Sequence, residues 1–319
     1  GLTPGLFAEP ELVAVDGQGR LFVTDTVRGR YVRVDSDGSG WFEGPKFGEK
    51  PGPYGARIRC LAVDRRRGYL YALRYDGPNP YRKYDERLVE NNWGLLRYDL
   101  DFKPAPFKAT GTHLLRPSDP LAVFRNLAVG PDGRLWLATI AHRAVNAKGE
   151  ERAKQLDEFG KELGPFGCQG KHGLDYWSRV DVYDPDGMLL KEGHARLYNS
   201  GGGLATGRSD SLYILDTCLI RNFNALHDQG RGVNFFAGGK ATRLISDISY
   251  LVKFAPPGGD RGSESELWAH RGAGVIQGEC GCGMIVNVIA SPAEQIFAPD
   301  FGRYHVKAFD AEGNLLARI

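Results

Sequence analysis

The chain has 319 residues, of which 42% are hydrophobic and 25% are charged, and its formal net charge is +2. These values are close to the averages of globular domains. A net charge this small gives no electrostatic basis for binding nucleic acid or an anionic membrane surface. Because there is no apolar run of the length that a bilayer requires, we also predict no membrane-spanning segment.

A short phrase recurs along the chain: a strand that ends in Val-Asp, a Gly-containing turn, and then a second and a third apolar strand. The first copy contains LVAVD at 12–16 and LFVTD at 21–25, and the second contains LAVD at 61–64. Further copies begin near residues 127, 203 and 285. A four-stranded unit repeated in this way is typical of a β-propeller. We therefore predict an all-β propeller with five visible blades, formed by residues 1–319 as a single domain.

The predicted strands a to d of each blade run outward from the propeller axis, so the a–b and c–d turns share one face of the disc. The a–b turns are short and rich in Gly, Asp and Pro, as tight hairpins require. Long insertions are predicted on the opposite face, near 74–92, 141–176, 217–249 and 255–283. Residues 150–163 have the apolar spacing of a short amphipathic helix. We expect the elaborated face to carry the function, with packing against a neighbouring domain as the alternative.

The recurring phrase resembles the repeats of the NHL family. Residues 13–26 and 295–310 match that pattern best, with Asp-x-x-Gly or Asp-x-Gly turns between apolar strands. The resemblance implies a propeller that closes with six blades. Because five copies are visible, we expect a sixth blade beyond Ile319 and therefore a longer protein. Such repeats occur in enzymes, sensors and scaffolds, so the resemblance does not define an activity.

Two enzymatic relatives of this family offer residues for comparison. Peptidyl-amidoglycolate lyases hold zinc with His residues at the axial ends of inner strands. The corresponding positions here are predicted to be Leu12, Arg59, Asn126, Gly203 and Met284. None of them is His, which argues against a lyase of that type.

Lactonases of the gluconolactonase and senescence-marker type hold one divalent cation with Glu, Asn and Asp oxygens. Residues 125–136 are similar to their Asn-bearing inner strand, and Glu9 or Glu11 precedes the first inner strand. The fourth repeat has glycines at 201–203, where another oxygen ligand is needed. The likeness to these lactonases therefore depends on Asn126.

Five cysteines allow several states. Cys60 begins a predicted inner strand and is expected to be a buried structural thiol. The other four lie in loop-rich segments, which suits disulfides in an exported protein. These disulfide candidates are Cys168, Cys218, Cys280 and Cys282. The alternatives are free thiols or a site for zinc or another soft metal. The residues of that metal site are Cys168, His172, Cys280 and Cys282. No CxxCH motif occurs, so c-type haem is not predicted.

Polar residues directly after the b strands are predicted to cluster at the elaborated face. Asp25, Asp216 and Asp300 are expected to tie neighbouring strands together with nearby Arg residues. His142 and His305 depart from the repeat and, together with Asn126, are the catalytic candidates. Arg and aromatic residues of the same region suit an anionic ligand or cation–π stacking. The ligand-binding candidates are Arg74, Tyr75, Arg125, Arg143, Arg221, Arg303 and Tyr304.

These features favour a binding or scaffolding module of an exported protein. Its elaborated face is expected to hold a partner protein, a ligand or a flanking domain of the same chain. The alternative is a metal-dependent lactonase, another hydrolase or a lyase, with a divalent cation at the mouth of the axial channel. A redox role for Cys280 and Cys282 ranks last. We prefer the binding module because no axial set of metal ligands is complete.

Overall fold

The structure is a computed structural model of the chain. It describes residues 7–8, 10–47, 57–75, 93–117, 122–142, 176–197, 203–216, 250–257, 266–271, 288–300 and 305–319. Every regular element within these ranges is a β-strand, and the described residues contain no helix that could cross a membrane. The helix predicted at 150–163 lies outside them.

Twenty strands of the described ranges form five four-stranded sheets, which are the blades. Blade 1 contains β1 (Pro10–Val15), β2 (Leu21–Asp25), β3 (Arg30–Val34) and β4 (Trp41–Lys46). Blade 2 contains β5 (Arg57–Asp64), β6 (Tyr69–Tyr75), β7 (Trp93–Asp99) and β8 (Leu114–Leu115). Blade 3 contains β9 (Ala122–Val129), β10 (Leu135–His142), β11 (Tyr176–Tyr183) and β12 (Leu189–Leu197). Blade 4 contains β13 (Gly203–Thr206), β14 (Leu212–Asp216), β15 (Tyr250–Phe254) and β16 (Glu266–Arg271). Blade 5 contains β17 (Ile289–Ala290), β18 (Ile296–Asp300), β19 (His305–Phe309) and β20 (Leu315–Arg318).

Each blade is an antiparallel meander in which strands consecutive in the chain pair with each other. The first strands of successive blades also contact one another: β1 with β5, β5 with β9, β9 with β13, and β13 with β17. These five strands therefore line the axis, and the sheets radiate from it. The predicted all-β propeller with five blades is confirmed.

The outer strands of the blades are less visible in the sequence than the inner three. β4, for example, has no fully buried residue, so it lacks the apolar alternation that marks a strand. β16 lies within 255–283, which the sequence analysis assigned to an insertion. The c–d connection of blade 2 is also long: it covers 100–113 and places Phe102 and Phe107 in the core.

Tight hairpins follow the inner strands because an Asp side chain accepts hydrogen bonds from backbone N–H groups of the turn. In blade 1 the Asp16 carboxylate accepts hydrogen bonds from the backbone N–H groups of Gln18 and Arg20, at 2.8 and 2.9 Å. Gly19 of this turn has a φ of 80°, a conformation that favours glycine. The turn chemistry read from the sequence is thus what closes the hairpin.

Apolar side chains fill the seams between neighbouring blades. Phe22 and Tyr31 of blade 1 pack against Leu70 and Tyr98 of blade 2, and Phe102 lies among them. Phe107 fills the next seam, where it is fully buried. Burial of one such aromatic side chain stabilises the fold by about 1.5–3 kcal/mol. The core is therefore divided into seams, and each seam needs two blades.

The inner strands of the first and last blades each have an apolar side chain that is more exposed than the equivalent side chain of blade 3. Val13 of β1 is 60% exposed, whereas the equivalent Leu127 of β9 is 3% exposed. Ile289 of β17 is 62% exposed, whereas the equivalent Ala128 is 6% exposed. The expected sixth blade concerns residues outside this sequence and stays a prediction.

Candidate functional site

The two ends of the propeller differ in their connections. The b and c strands are joined by 76–92, 143–175 and 217–249 in blades 2 to 4, and these segments start from the same end of the disc. We call this the loop-bearing end. The other end, which we call the turn end, carries every a–b turn and every c–d connection. Because strands alternate in direction, each inner strand begins at the loop-bearing end.

The a–b turns at the turn end bond the blades to one another. Arg134 of blade 3 donates a hydrogen bond from Nη1 to Oδ2 of Asp210 in blade 4, at 2.8 Å. Ser209 of blade 4 donates from its backbone N–H and its hydroxyl to Glu294 of blade 5, at 3.3 and 3.1 Å. Arg65 of blade 2 donates to the carbonyl of Val15 in blade 1, at 3.2 Å.

Two glycines of these turns lie close to carboxylates of the next blade. A Cβ atom on Gly130 would lie 2.2 Å from Oδ1 of Asp210, and one on Gly207 would lie 2.5 Å from Oε1 of Glu294. Real Cβ atoms do not come so near, so a larger residue at either position would have to displace the carboxylate side chain. The inner turns are therefore fitted to each other across the seams.

A second ring of contacts lies further from the axis, at the c–d connections. In three blades a cation near the end of the c strand donates to a backbone carbonyl of the next blade. These contacts are Arg33 to Leu100 at 2.8 Å, Arg97 to Pro185 at 2.6 Å, and Lys253 to Ala311 at 3.1 Å. In blade 3 the imidazole of His194 lies 3.0 Å from the carbonyl oxygen of Ala255. The turn end thus joins four successive pairs of blades.

The inner strands carry a different feature at the loop-bearing end, where three of them contain a β-bulge. In blade 3, Asn126 pairs with Ala138 and Phe124 pairs with Thr139, so Arg125 is an extra residue. In blade 2, Cys60 pairs with Leu73 and Ile58 pairs with Arg74, so Arg59 is an extra residue.

Blade 1 shows the same irregularity. Pro10 pairs with Asp25 and Val13 pairs with Val23, so β1 advances by three residues where β2 advances by two. Leu12 donates its backbone N–H to the Thr24 hydroxyl, and alignment of the repeats then places Glu11 at the extra position. The three bulged residues, Glu11, Arg59 and Arg125, all carry a charge. Bulges re-aim side chains and are frequent beside functional sites.

The bulges correct one alignment made from the sequence. The sequence analysis equated Arg59 with Leu12, Asn126 and Gly203. The register shows that Cys60 holds that position, and that Arg59 is equivalent to Arg125. Counting back from Asp16 and Asp64 along the two copies of the phrase gives the same assignment.

The other candidates that the structure describes lie at the loop-bearing end, in blades 2, 3 and 5. Arg74 is half-buried and pairs with Ile58, beside the bulge at Arg59. His142 ends β10 in blade 3 and His305 begins β19 in blade 5, so a complete blade separates them. Tyr75 ends β6 opposite Arg57.

Asn126 is the catalytic candidate that the structure describes most fully. It is almost fully buried on β9, and its Oδ1 accepts the backbone N–H of Leu127 at 2.8 Å. That bond holds the carboxamide against its own strand. Asn126 therefore contributes to the order of β9 next to the bulge at Arg125.

Nine candidate residues lie outside the described residues, and their roles stay predictions. They are Arg143, Arg221, Arg303, Tyr304, Cys168, His172, Cys218, Cys280 and Cys282. Within the described part of the chain, no three His, Cys, Asp or Glu residues come together as a metal site would require. The disulfide and soft-metal alternatives both concern these undescribed cysteines.

Cys60 is half-buried, less enclosed than the sequence analysis expected of a structural thiol. It is not in a disulfide, and its Sγ lies 3.5 Å from the carbonyl oxygen of Leu127 on the neighbouring inner strand. Burial raises the pKa of this thiol to about 11. Because the thiolate is the reactive form, Cys60 is chemically quiet at neutral pH.

Asp25 has the structural role predicted for it, and the same role stays a prediction for Asp216 and Asp300, whose side chains the structure does not describe. Asp25 is fully buried, and its Oδ2 lies 3.3 Å from the guanidinium of Arg30 and 3.8 Å from Nε of Arg28. Its Oδ1 accepts the backbone N–H of Ala8 at 3.2 Å. The carboxylate thus anchors strands of blade 1 to each other.

Asp210 is a buried ionisable residue that the sequence analysis missed. Burial raises the pKa of its carboxyl to about 6, and the charge of Asp132 acts in the same direction. Its backbone has a φ of 58°, at the turn position that Gly19 and Gly133 occupy in other blades. That departure from glycine is the signal in the sequence that could have identified it.

No protein-family model and no curated protein matches the chain. A gluconolactonase from Xanthomonas campestris has a TM-score of 0.48 and 16% identity, covering 99% of this chain and 77% of that one. Regucalcin, a calcium-binding protein from Agrobacterium tumefaciens, has a TM-score of 0.43 and 14% identity, with 98% and 74% covered. PQQ-bound aldose sugar dehydrogenase from Streptomyces coelicolor has a TM-score of 0.44 and 15% identity, with 98% and 80% covered. The chain is a β-propeller, and its membership of the NHL-repeat family stays a prediction.

Proposed function

We propose that this propeller is a binding module of an exported protein, and that its loop-bearing end holds a partner protein or ligand. The observation that supports this proposal is the different use of the two ends. The turn end is occupied by bonds between blades, such as Arg134 to Asp210 and Arg97 to Pro185. The loop-bearing end has the long connections and the charged bulges, which blade packing does not require.

The short b–c connection of blade 1 shows that the fold does not need the long ones. There, residues 26–29 alone join β2 to β3, and Gly29 donates its backbone N–H to the carbonyl of Thr26 at 3.2 Å. A propeller blade of this type therefore closes with four residues at this end. The segments 143–175 and 217–249 are additions to that minimum.

The experiment shortens these additions and measures binding separately from folding. Residues 143–175 are replaced by the 26–29 sequence, and a second variant shortens 217–249 in the same way. We expect both variants to keep a cooperative thermal transition and to lose capture of the partner from a secreted protein fraction, quantified by mass spectrometry. Arg66→Glu and Arg208→Glu at the turn end are the matched controls, since both residues are exposed.

Equal capture by the shortened variants, or loss of capture in the turn-end controls, would contradict the proposal. Export is tested by thiol titration of the purified protein before and after reduction. Four protected thiols, with Cys60 remaining reduced, are the expected result for an oxidising compartment. Five titratable thiols without reduction would argue for a reducing compartment.

The alternative function is a metal-dependent hydrolase or lyase with its site at the mouth of the axial channel. The observation that favours it is the buried carboxamide of Asn126 next to a bulge. The described residues offer few ligands for a hard cation, however, because Gly203 has no side-chain oxygen and no three His, Cys, Asp or Glu residues come together among them. A stoichiometric divalent ion that is lost in Asn126→Ala, together with hydrolysis of a lactone, would favour this function over the binding module.

A further inference from the structure

We infer that copies of this chain associate head to tail, with a free face of blade 5 in one copy packed on a free face of blade 1 in another. This contact repeats the way in which neighbouring blades pack within one copy. It uses the terminal blades and not the loop-bearing end, so it goes beyond the proposed function and is tested independently of it. The inference depends on the register of two blades, the exposure of their apolar residues and comparison with the other seams.

The free face of blade 1 is the side of its sheet that is turned away from blade 2. Phe22 packs towards blade 2, so its neighbours Leu21 and Val23 point to the opposite side. Val15 pairs with Leu21 and Val13 pairs with Val23, and paired residues share a face. Val13 is 60% exposed, Val15 is 38% exposed and Leu21 is 37% exposed, whereas Val23 is buried. The uncovered part of this face is therefore an apolar patch on the inner strands, near the turn end.

The free face of blade 5 is the side of its sheet that is turned away from blade 4. Ile296 packs with Tyr213 of blade 4, so Phe297 points to the opposite side. Phe297 pairs with Ile289 and with Ala308, and the three residues share this face. Ile289 is 62% exposed and Phe297 is half-buried. The same register adds further apolar residues to this face: Pro299, Val306, Ala317 and Ile319.

The other seams show what these two faces fit. In three seams an aromatic residue at one equivalent position of the b strand packs in the same cluster as an apolar residue of the next inner strand. The pairs are Phe22 with Leu61, Tyr71 with Leu127, and Tyr213 with Val288. Phe297 holds the aromatic position in blade 5, and Val13 holds the receiving position in blade 1. The two free faces are therefore the two halves of one such seam.

A single copy leaves these two halves largely uncovered. Among the described strands, the contacts that join successive inner strands are not repeated to the same extent between β17 and β1. Val13 and Ile289 accordingly keep most of their side-chain surface in water. Apolar patches of this kind mark contact surfaces, because covering them removes apolar area from water. Since each half fits the other in kind, the occupant that this chain itself supplies is a second copy.

The composition of the blade 5 face favours an apolar contact over a hydrogen-bonded one. Arg33, Arg97 and Lys253 each pair with the aromatic position of their own blade and donate to a carbonyl of the next blade. Ala308 holds this position in blade 5, where it pairs with Phe297. The side chains of the face carry no polar group, so covering them leaves none without a hydrogen-bond partner. The net charge of +2 adds little repulsion between copies.

The test measures the mass of the whole 319-residue protein by sedimentation velocity over a range of concentrations. We expect the wild type to change from one copy to two or more as the concentration rises. Val13→Glu and Ile289→Glu should each stay single copies, with the dissociation constant raised by more than about 100-fold, because each places an unpaired charge in the contact. Val27→Glu is the matched control, since Val27 is 53% exposed at the loop-bearing end of blade 1, and it should associate like the wild type.

An equimolar mixture of the two Glu variants distinguishes head-to-tail association from other kinds. Val13→Glu keeps the blade 5 face and Ile289→Glu keeps the blade 1 face, so the mixture should form pairs of copies and nothing larger. Association restored by mixing cannot come from misfolded variants. Because association depends on concentration, urea denaturation of dilute Val13→Glu should match that of the wild type.

Four results would each overturn the inference. The first is a wild type that stays a single copy at every concentration, which would leave the two faces to a further blade or to another protein. The second is self-association of either Glu variant alone, which would mean that a face packs on its own counterpart. The others are a mixture that does not associate and an equal loss of association in Val27→Glu.

Discussion

Asp210 lies in the seam between blades 3 and 4, where we expect its replacement by Asn to stabilise the protein at neutral pH. The residue is 8% exposed, and its Oδ2 accepts a hydrogen bond from Arg134 at 2.8 Å. Burial, assisted by the charge of Asp132, raises the pKa of Asp210 to about 6 against the opposing effect of Arg134. Asn has nearly the same shape, tolerates the φ of 58° and carries no charge.

The sign follows from the two pKa values. The folded protein binds the Asp210 proton more tightly than the unfolded chain, in which the carboxyl titrates near 3.8. The free energy of unfolding therefore rises as the pH falls through about 6, and this contribution is complete below 3.8. A difference of about 2 pKa units corresponds to about 3 kcal/mol. In a chain of this length that amounts to about 4 °C in Tm.

His194 acts in the same seam with the opposite sign. Burial lowers the pKa of its imidazole to about 4, and the ring packs edge-to-face against Trp136 at 5.1 Å between centroids. Because the folded protein resists this protonation, the free energy of unfolding falls as the pH drops from 6.5 towards 4. In the wild type the two contributions oppose each other over nearly the same pH range.

Urea denaturation followed by tryptophan fluorescence measures both contributions. We expect Asp210→Asn to exceed the wild type by about 3 kcal/mol at neutral pH, and this advantage to disappear near pH 4. His194→Gln should instead remove the opposing contribution, so that the free energy of unfolding of this variant rises as the pH falls from about 6 towards 4. Glu312→Gln, an exposed carboxylate of the turn end, is the control and should change stability by less than about 0.5 kcal/mol. A less stable Asp210→Asn at neutral pH, or an advantage that does not change with pH, would refute the reasoning.

Three further results are expected. Arg97→Met should lower the free energy of unfolding by about 2–4 kcal/mol, because it removes a buried guanidinium that donates to three backbone carbonyls, that of Pro185 in the next blade among them. Lys108→Met, whose side chain is 82% exposed, should change it by less than about 1 kcal/mol in the same urea experiment. Val13→Ser should be nearly neutral, whereas Leu127→Ser at the equivalent buried position should cost about 3 kcal/mol, and equal losses would contradict the repeat alignment. Cys60 should stay unmodified by iodoacetamide at about pH 8 until urea unfolds the protein, as peptide mapping can show; rapid labelling would contradict its burial.

Much of the fold could be predicted because short sequence patterns determine the inner strands and the turns that follow them. The Val-Asp phrase identifies inner strands, since Asp16 and its counterparts close their hairpins within a few residues. The outer strands were harder to identify. β16 lies in a segment that we assigned to an insertion, because its pairing with β15 depends on a partner strand and not on its own periodicity.

The sequence predicted which end of the disc carries the candidate site, but it predicted only some of the residues there. Arg125 and Arg74 were among the ligand-binding candidates, and both lie at or beside a bulge. Glu11 was considered only as a metal ligand, and Arg59 was assigned to the wrong register. A bulge is defined by the strand opposite, so an alignment of single residues does not contain it.

The sequence by itself determined the class of protein, since alternation of apolar residues and the Asp turns act over short distances and repeat five times. Tertiary structure decided everything that depends on two blades at once. The carboxylate of Asp210 lies against Gly130 of the preceding blade, and the pKa of Asp210 rises because that same seam removes it from water. Contacts between residues some 80 positions apart leave no periodic trace in the chain, and in this propeller those contacts decide which residues are buried, charged and adjacent.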